Sequence, residues 1–208
     1  MTRFTAPAAA FFLLAASVAG AESKPVEVPE PIKVPEGYKL VAEYKAKGVQ
    51  VYRAVAGKDG NLAWEFLEPI AELMDTDSAK AGCHYSGPAW EAADGSKVIK
   101  EADKKVQSAD APKPDRDLHW LLIPVKGDDL KDAKPGRFTK VVYVQRIETS
   151  GGLAPKELPK RAGTKIAVPY TAVYYFWAKA ETESKVQAKG DSLVTARRAL
   201  CSHASISY

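Results

Sequence analysis

The residues best suited to chemistry lie close together in the segment Gly82–Val98, which reads GCHYSGPAWEAADGSKV. A free histidine titrates near neutral pH, so His84 is a candidate general acid or base. Glu91 follows seven residues later, beyond a Gly-Pro bend that can fold it back beside the histidine. We therefore take His84 and Glu91 as candidate catalytic residues. The alternative is that His84 and Trp90 pack and hydrogen-bond within a sheet, with a purely structural role.

Arg146 is the candidate cation for this segment. Gln145 and Arg146 are neighbours in an apolar run, so on a strand they point to opposite faces. A buried Arg146 needs a carboxylate such as Glu91 or Asp94, which predicts either a structural ion pair or an anion-binding group. We expect these two segments to contribute one cluster of four residues, namely His84, Trp90, Glu91 and Arg146.

Aromatic side chains suggest carbohydrate as one candidate ligand. Trp90, Tyr170 and Tyr174 offer rings for sugar stacking, and together with Asp94 and Arg146 they form the predicted binding set. Rings on strands also build hydrophobic cores, so a binding role and a core role both stay open for them.

Other kinds of site find little support in the sequence. Two cysteines cannot form a zinc cluster by themselves, and the spacing of His84 and His119 matches no known metal motif, so we expect no metal and no cofactor. No serine lies in a G-x-S-x-G elbow, and no G-x-G-x-x-G motif follows a strand. The net charge is +4, but the charges are interspersed, so we expect no nucleic-acid partner.

The first 21 residues have the pattern of a secretory signal peptide. Arg3 precedes a mostly apolar run, and Ala19-Gly20-Ala21 is a cleavage site of the A-x-A type. We therefore expect a mature chain that begins at Glu22, a secreted or periplasmic location, and no transmembrane segment after cleavage. In such a compartment Cys83 and Cys201 form a disulfide or remain separate thiols, and the spacing does not decide between the two.

Turn and strand signals divide the remaining chain into three parts. Residues 22–37 are rich in proline, which predicts an extended segment. Residues 38–180 show alternating apolar patterns without helical periodicity, which predicts a β-domain, and residues 181–208 form a tail with a short C-terminal helix. Because the chain offers no crossover helices, the strands should be antiparallel. We predict an all-β sandwich or flattened barrel of about 8–10 strands, with long loops.

Particular strands follow from these patterns. Tyr38–Tyr44 and Gly48–Val55 are read as two strands, the second with an alternation that places one face inward. Pro69 is expected to end the third strand. Arg137–Thr149 is the longest predicted strand, and its apolar centre indicates that both faces are covered. Asp94-Gly95 predicts a tight hairpin turn with positive φ.

Five phrases of the sequence carry a family resemblance. They are GVQVY (48–52), HYSGPAWEAADGSKV (84–98), WLLIPV (120–125), YVQRIETSGGLAP (143–155) and VPYTAVYYFW (168–177). In this order they resemble the secreted bacterial and fungal family catalogued as "domain of unknown function 3455", over Gly37–Lys179. The resemblance implies an exported, mostly β domain with no established activity.

The sequence departs from the family pattern in three places. Relatives often carry one cysteine where this chain has Ala54 and another within the region Lys156–Ala162, which has none here. The resemblance therefore implies that a disulfide common in the family is absent. The aspartate usual in the YTADYYF phrase is Val173 in this chain, so a site that depended on that carboxylate would be lost.

Two functional readings remain open on the sequence. In the first, the chain is an exported non-catalytic binding or envelope-associated module, with a polysaccharide or cell-envelope component as partner. In the second, it is a secreted hydrolase or lyase that acts on a wall or plant polymer, with His84 and Glu91 as its acid/base pair. We favour the first, because no nucleophile, acid pair or metal set is complete in the sequence.

Overall fold

The computed structural model describes residues 26–127 and 135–180. The predicted signal peptide, the predicted C-terminal tail with its predicted helix, and Cys201 all lie outside these residues. One short 3-10 turn, Glu30–Ile32, precedes nine strands. The strands are β1 (Tyr38–Ala56), β2 (Leu62–Met74), β3 (Lys80–Tyr85), β4 (Ala89–Ala92), β5 (Lys97–Lys100), β6 (Gln107–Ala109), β7 (Trp120–Gly127), β8 (Val141–Gly151) and β9 (Lys165–Lys179).

The nine strands form one antiparallel sheet that closes into a ring. The order is β5-β4-β3-β2-β1-β9-β8-β7-β6, and β5 also pairs with β7. Along β7, the first residues pair with β6 and the last ones with β5, so both short strands lie on the same edge. The predicted antiparallel all-β class is confirmed, and the ring-like sheet fits the predicted sandwich or flattened barrel. Within the described residues, no helix has the length and apolar character that crossing a membrane requires.

The interior of the ring holds the larger hydrophobic core. Aromatic residues from several strands meet there, and Phe138 and Phe176 stack with ring centroids 4.2 Å apart. Tyr44 contacts both of these rings edge-on. Small residues of β1, such as Ala42 and Ala46, leave room for the rings that face them.

A second, smaller core lies on the outer face of β7, β8 and β9. The N-terminal segment covers it, because Ile32 is completely buried and its carbonyl oxygen accepts a hydrogen bond of 2.8 Å from Gln145 Nε2. Strand β8 is therefore covered on both faces, as its apolar centre predicted. The described part of the predicted proline-rich segment, residues 26–37, therefore packs on the sheet through Val28, Ile32 and Val34, and burial of these apolar side chains favours the contact.

Two strands run further than their sequence signals predicted. β1 is one continuous strand of 19 residues where two were expected. Pro69 lies inside β2, opposite Gln50, and Pro169 lies inside β9, opposite Val49. A proline is tolerated more readily at each place because the next strand on its other side has already ended, so that side of the strand needs no ladder hydrogen bond there.

Candidate functional site

A pocket of about 260 Å³ opens inside the ring, beside the turn that joins β3 and β4. Its apolar wall comes from six residues: Phe66, Pro69, Pro88, Leu118, Leu121 and Ile123. Its remaining wall comes from six side chains that carry nitrogen or oxygen: Gln50, Tyr52, His84, Trp90, Arg146 and Tyr174. Phe66 is 46% exposed, so it places part of this wall at the surface. A concave, mostly apolar pocket with a few converging polar groups is the usual form of a small-molecule site.

The β3–β4 hairpin brings His84 and Trp90 together. They lie directly opposite each other in the register, so their side chains leave the sheet on the same face. Their rings stack with centroids 4.3 Å apart and planes 6° apart. Tyr174 contacts both rings edge-on, with centroids 5.3 and 5.8 Å away. The predicted proximity of His84 and Trp90 is confirmed, with Tyr174 as a third member.

The protonation state of His84 follows from its surroundings. Its Nδ1 lies 2.8 Å from the carbonyl oxygen of Ala89. A carbonyl oxygen only accepts, so Nδ1 carries the proton and Nε2 keeps its lone pair. The pKa of His84 is lowered from 6.5 to about 3, chiefly by burial and to a lesser extent by the charge of Arg146, while the hydrogen bond with the Ala89 carbonyl opposes this shift. His84 is therefore neutral at physiological pH and a far weaker base than a free histidine.

Glu91 lies on the other side of the hairpin from His84. It pairs with Cys83, one residue along from the His84–Trp90 pair, and adjacent residues of a strand face opposite ways. The Tyr85 hydroxyl donates a hydrogen bond of 2.6 Å to Glu91 Oε2. Glu91 does not line the pocket. The structure therefore does not assemble the predicted acid/base pair.

Arg146 faces the ring interior, whereas Gln145 faces the outer core, as their adjacency predicted. Arg146 Nε and Nη2 donate to the carbonyl oxygen of His119 at 3.2 and 2.9 Å. Among the described residues, no carboxylate forms an ion pair with Arg146. The predicted pairing with Glu91 or Asp94 is not formed, because both carboxylates are engaged elsewhere.

Asp94 stabilises the next hairpin. Its Oδ1 accepts from the backbone nitrogen and the hydroxyl of Ser96, at 2.9 and 2.6 Å, and its Oδ2 accepts from the backbone nitrogen of Arg137 at 2.8 Å. Burial raises the pKa of Asp94, but these hydrogen bonds outweigh burial and lower it. Gly95 follows with φ +84°, which confirms the predicted positive φ in this turn. Asp94 thus joins two loops and lies outside the pocket wall.

The two candidate tyrosines are both buried. Tyr170 and Tyr174 are 2% and 0% exposed, and their hydroxyl oxygens lie 3.4 Å apart. Burial raises the pKa of both hydroxyls, and Arg146 partly opposes this rise. Tyr174 reaches the pocket wall, but neither ring forms a surface on which an exposed sugar chain can stack.

Gln50 and Tyr52 belong to the pocket but were not singled out in the sequence. Gln50 is 3% exposed, and its Nε2 makes no hydrogen bond of normal geometry among the described residues. Its side chain nevertheless lies close enough to the Tyr170 hydroxyl to lower the pKa of that group. The Tyr52 hydroxyl donates to the carbonyl oxygen of Gly152 at 2.7 Å. Predicting one continuous strand from Tyr38 to Ala56 would have identified these two residues. On such a strand Gln50 and Tyr52 lie on the same face as Tyr44, whose side chain belongs to the interior core.

No metal cluster is found in the part of the chain that the structure describes, where no three or more His, Cys, Asp or Glu residues come together. The His119 ring nitrogen Nδ1 lies 3.1 Å from Asp110 Oδ1 at the surface. Cys83 is buried on β3. The sequence left open whether Cys83 is bonded to Cys201, and Cys201 lies outside the described residues.

A second groove, of about 510 Å³, shares His84 with the pocket and extends along β1, β2 and β3. Two of its charged residues neutralise each other, since Lys80 Nζ lies 2.8 Å from Glu72 Oε1. None of its lining side chains has a buried polar atom without a partner among the described residues. The pocket inside the ring is therefore the better candidate site.

Comparison with known proteins gives one match. A family model described as "Protein of unknown function (DUF3455)" matches residues 35–178, which is more than half of the chain. No curated protein matches the chain. No solved structure matches it.

Proposed function

The chain belongs to this family of unknown function, DUF3455, and from its pocket we propose that it is a non-catalytic domain that binds a small ligand inside the ring. Membership confirms the resemblance carried by the five sequence phrases. Because the family has no described activity, the proposal rests on the residues of this chain.

The observation that supports binding is the contrast within the pocket wall. Six apolar residues surround a space large enough for a single-ring molecule, since an engineered cavity of about 150 Å³ already binds benzene. Within the same wall, Gln50 Nε2 and Trp90 Nε1 are buried without hydrogen-bond partners among the described residues. A buried donor without a partner is costly, and a ligand that accepts its hydrogen bond would remove that cost.

Binding is favoured over the hydrolase or lyase reading because of His84 and Glu91. A general acid or base works best with a pKa near the working pH, and burial holds the pKa of His84 at about 3. Glu91 is hydrogen-bonded to Tyr85 on the opposite side of the hairpin. The catalytic pair that motivated the enzyme reading therefore has no geometric support.

A polysaccharide partner also loses its support. Sugar chains bind to open surfaces with exposed rings, whereas Trp90, Tyr170 and Tyr174 are at most 2% exposed. A pocket of about 260 Å³ is smaller than the pockets that hold drug-sized ligands, at about 300–1,000 Å³. We therefore propose a small molecule as the ligand.

We further propose that the protein works outside the cytoplasm after signal cleavage. The support is the order of Arg3, the apolar run and Ala19-Gly20-Ala21. N-terminal sequencing of protein from the exported fraction should give Glu22 as the first residue. An intact Met1 on protein recovered from that fraction would contradict this proposal.

Binding can be tested with single-ring probes at millimolar concentration and ligand-observed NMR. Phenylacetamide and phenylacetate should both contact the wild-type protein, and both should be recovered unchanged. Leu121→Trp places an indole in the pocket and should weaken binding of both at least tenfold. Leu158→Trp is the matched control, because Leu158 is 72% exposed and does not line the pocket. If neither probe binds the wild type, or if folded Leu121→Trp binds as the wild type does, the proposal fails.

A further inference from the structure

We propose that the ligand of this pocket carries a carboxylate that Arg146 binds, attached to an apolar body that the ring interior holds. This inference rests on the proposed binding function and adds the chemical class of the ligand. Three observations support it: the charge of the pocket, the kind of hydrogen-bonding group that it offers, and the character of its remaining wall.

The first observation is an uncompensated cation. Of the described residues that line the pocket, Arg146 alone carries a charge at neutral pH, because His84 is neutral there. Arg146 is half-buried, and among the described residues it has no carboxylate partner. A guanidinium in such surroundings favours an anion, and its planar fork matches a carboxylate in particular.

The guanidinium keeps donors for that anion. It has five N–H groups. Those on Nε and Nη2 donate to the carbonyl oxygen of His119, and the guanidinium also lies close enough to the Tyr174 hydroxyl to lower its pKa through a hydrogen bond, which leaves further donors for a ligand. The bond to His119 also fixes the direction of the side chain, because His119 immediately precedes β7, the strand that pairs with β8. Arg146 is thus oriented before a ligand arrives, which reduces the entropy lost on binding.

The second observation is an excess of donors. Gln50 Nε2 and Trp90 Nε1 can only donate, and both are buried without a partner among the described residues. Trp120 and Trp177, which belong to the outer core, also have indole nitrogens without a partner among the described residues. An unpartnered indole nitrogen is therefore not special to the pocket, and Gln50 is the stronger evidence for a ligand than Trp90. A group that accepts hydrogen bonds, such as a carboxylate, suits these two donors and Arg146. An amine would place a second cation near Arg146, and a sugar would bring hydroxyl donors of its own.

The third observation is the apolar remainder of the wall. Phe66, Leu118, Leu121 and Ile123 offer no hydrogen bonds to a polar ligand body. A molecule that was charged throughout, such as inorganic phosphate, would lose its hydration without gaining partners there. The ligand class is therefore a monocarboxylate with a single-ring or similarly sized apolar body.

Three probes separate the contributions in wild-type protein, by calorimetry or ligand-observed NMR. Phenylacetate has both the ring and the charge, phenylacetamide has the ring without the charge, and acetate has the charge without the ring. We expect phenylacetate to bind at least tenfold more tightly than either of the others. Equal affinity for phenylacetate and phenylacetamide would overturn the carboxylate inference and leave the binding function intact. If neither ring probe binds, the binding function itself falls.

Variants then locate the charge. Arg146→Gln should weaken phenylacetate binding at least tenfold and change phenylacetamide binding less than twofold. Arg53→Gln is the matched control, because Arg53 lies on β1, is exposed and faces Glu65 at 3.6 Å. If folded Arg146→Gln still binds phenylacetate more tightly than phenylacetamide, Arg146 is excluded as the partner of the carboxylate. The comparison of the three probes in wild-type protein decides the ligand class even if Arg146→Gln does not fold.

Discussion

Acidification from pH 7 to pH 5 should destabilise this protein chiefly through His84. In the unfolded chain a histidine has a pKa of about 6.5 and takes up a proton over this range. In the folded protein burial holds the pKa of His84 at about 3, so the ring stays neutral. The unfolded state therefore binds more protons, and stability rises with pH in this window. The stabilisation is complete above the unfolded pKa and decreases as the pH falls from about 6.5 towards 3.

The size of the effect follows from the two pKa values. Each unit of pH below the unfolded pKa costs about 1.4 kcal/mol, so the free energy of unfolding should fall by about 2 kcal/mol between pH 7 and pH 5. Three carboxylates of the described residues have a lowered pKa, namely Asp59, Asp94 and Asp117; they stay ionised in both states over this range and contribute little. The window thus isolates the histidine.

Urea denaturation followed by tryptophan fluorescence at pH 7 and pH 5 measures this difference. His84→Asn keeps an N–H donor for the Ala89 carbonyl oxygen but cannot take up a proton, so its stability should change far less between the two pH values. His119→Asn is the matched control, because His119 is exposed and should leave the wild-type difference in place. If the free energy of unfolding of His84→Asn also falls by about 2 kcal/mol between pH 7 and pH 5, as in the wild type, the assignment to His84 is refuted.

Two further predictions concern stability and a third concerns the disulfide. Gly95→Val should destabilise the protein by about 1–2 kcal/mol, because Gly95 has φ +84° and a β-branched residue is strained there. Gly127→Val is the control and should not destabilise it, because Gly127 has open space around its Cβ and no positive φ. Equal melting temperatures for the two variants would contradict this prediction. Ile32→Ala should lower the free energy of unfolding, measured by urea denaturation, by about 2–4 kcal/mol, because Ile32 is completely buried. A change below about 0.5 kcal/mol would mean that the N-terminal segment does not pack on the sheet in solution. A digest of unreduced exported protein should contain the Cys83 and Cys201 peptides as one linked species in mass spectrometry, and separate peptides would exclude the disulfide.

Local patterns predicted much of the fold. The alternation along each strand and the absence of helical periodicity led to an antiparallel all-β sheet, and the structure has nine such strands. The Asp94-Gly95 turn was predictable because few residues other than glycine adopt positive φ. Strand boundaries were less accurate at Pro69, because whether a proline interrupts a strand depends on where the neighbouring strand ends.

The candidate site was predictable only in part. The sequence placed His84 beside Trp90, since a tight turn of few residues must align the strands on either side of it. It also placed Gln145 and Arg146 on opposite faces, which follows from strand geometry alone. It did not show that Glu91 would bond to Tyr85, because the choice among several nearby partners depends on side-chain directions in the folded hairpin.

The sequence by itself determined the class of the sheet, the hairpin turns and the faces that neighbouring residues occupy, because these depend on contacts between residues close in the chain. Only the tertiary structure decided that Gln50, His84 and Arg146, from three different strands, line one pocket. It also decided that His84 is neutral, since the pKa depends on burial by distant strands. Closure of the ring brings these strands together, and the register of that closure is set by many long-range pairs at once.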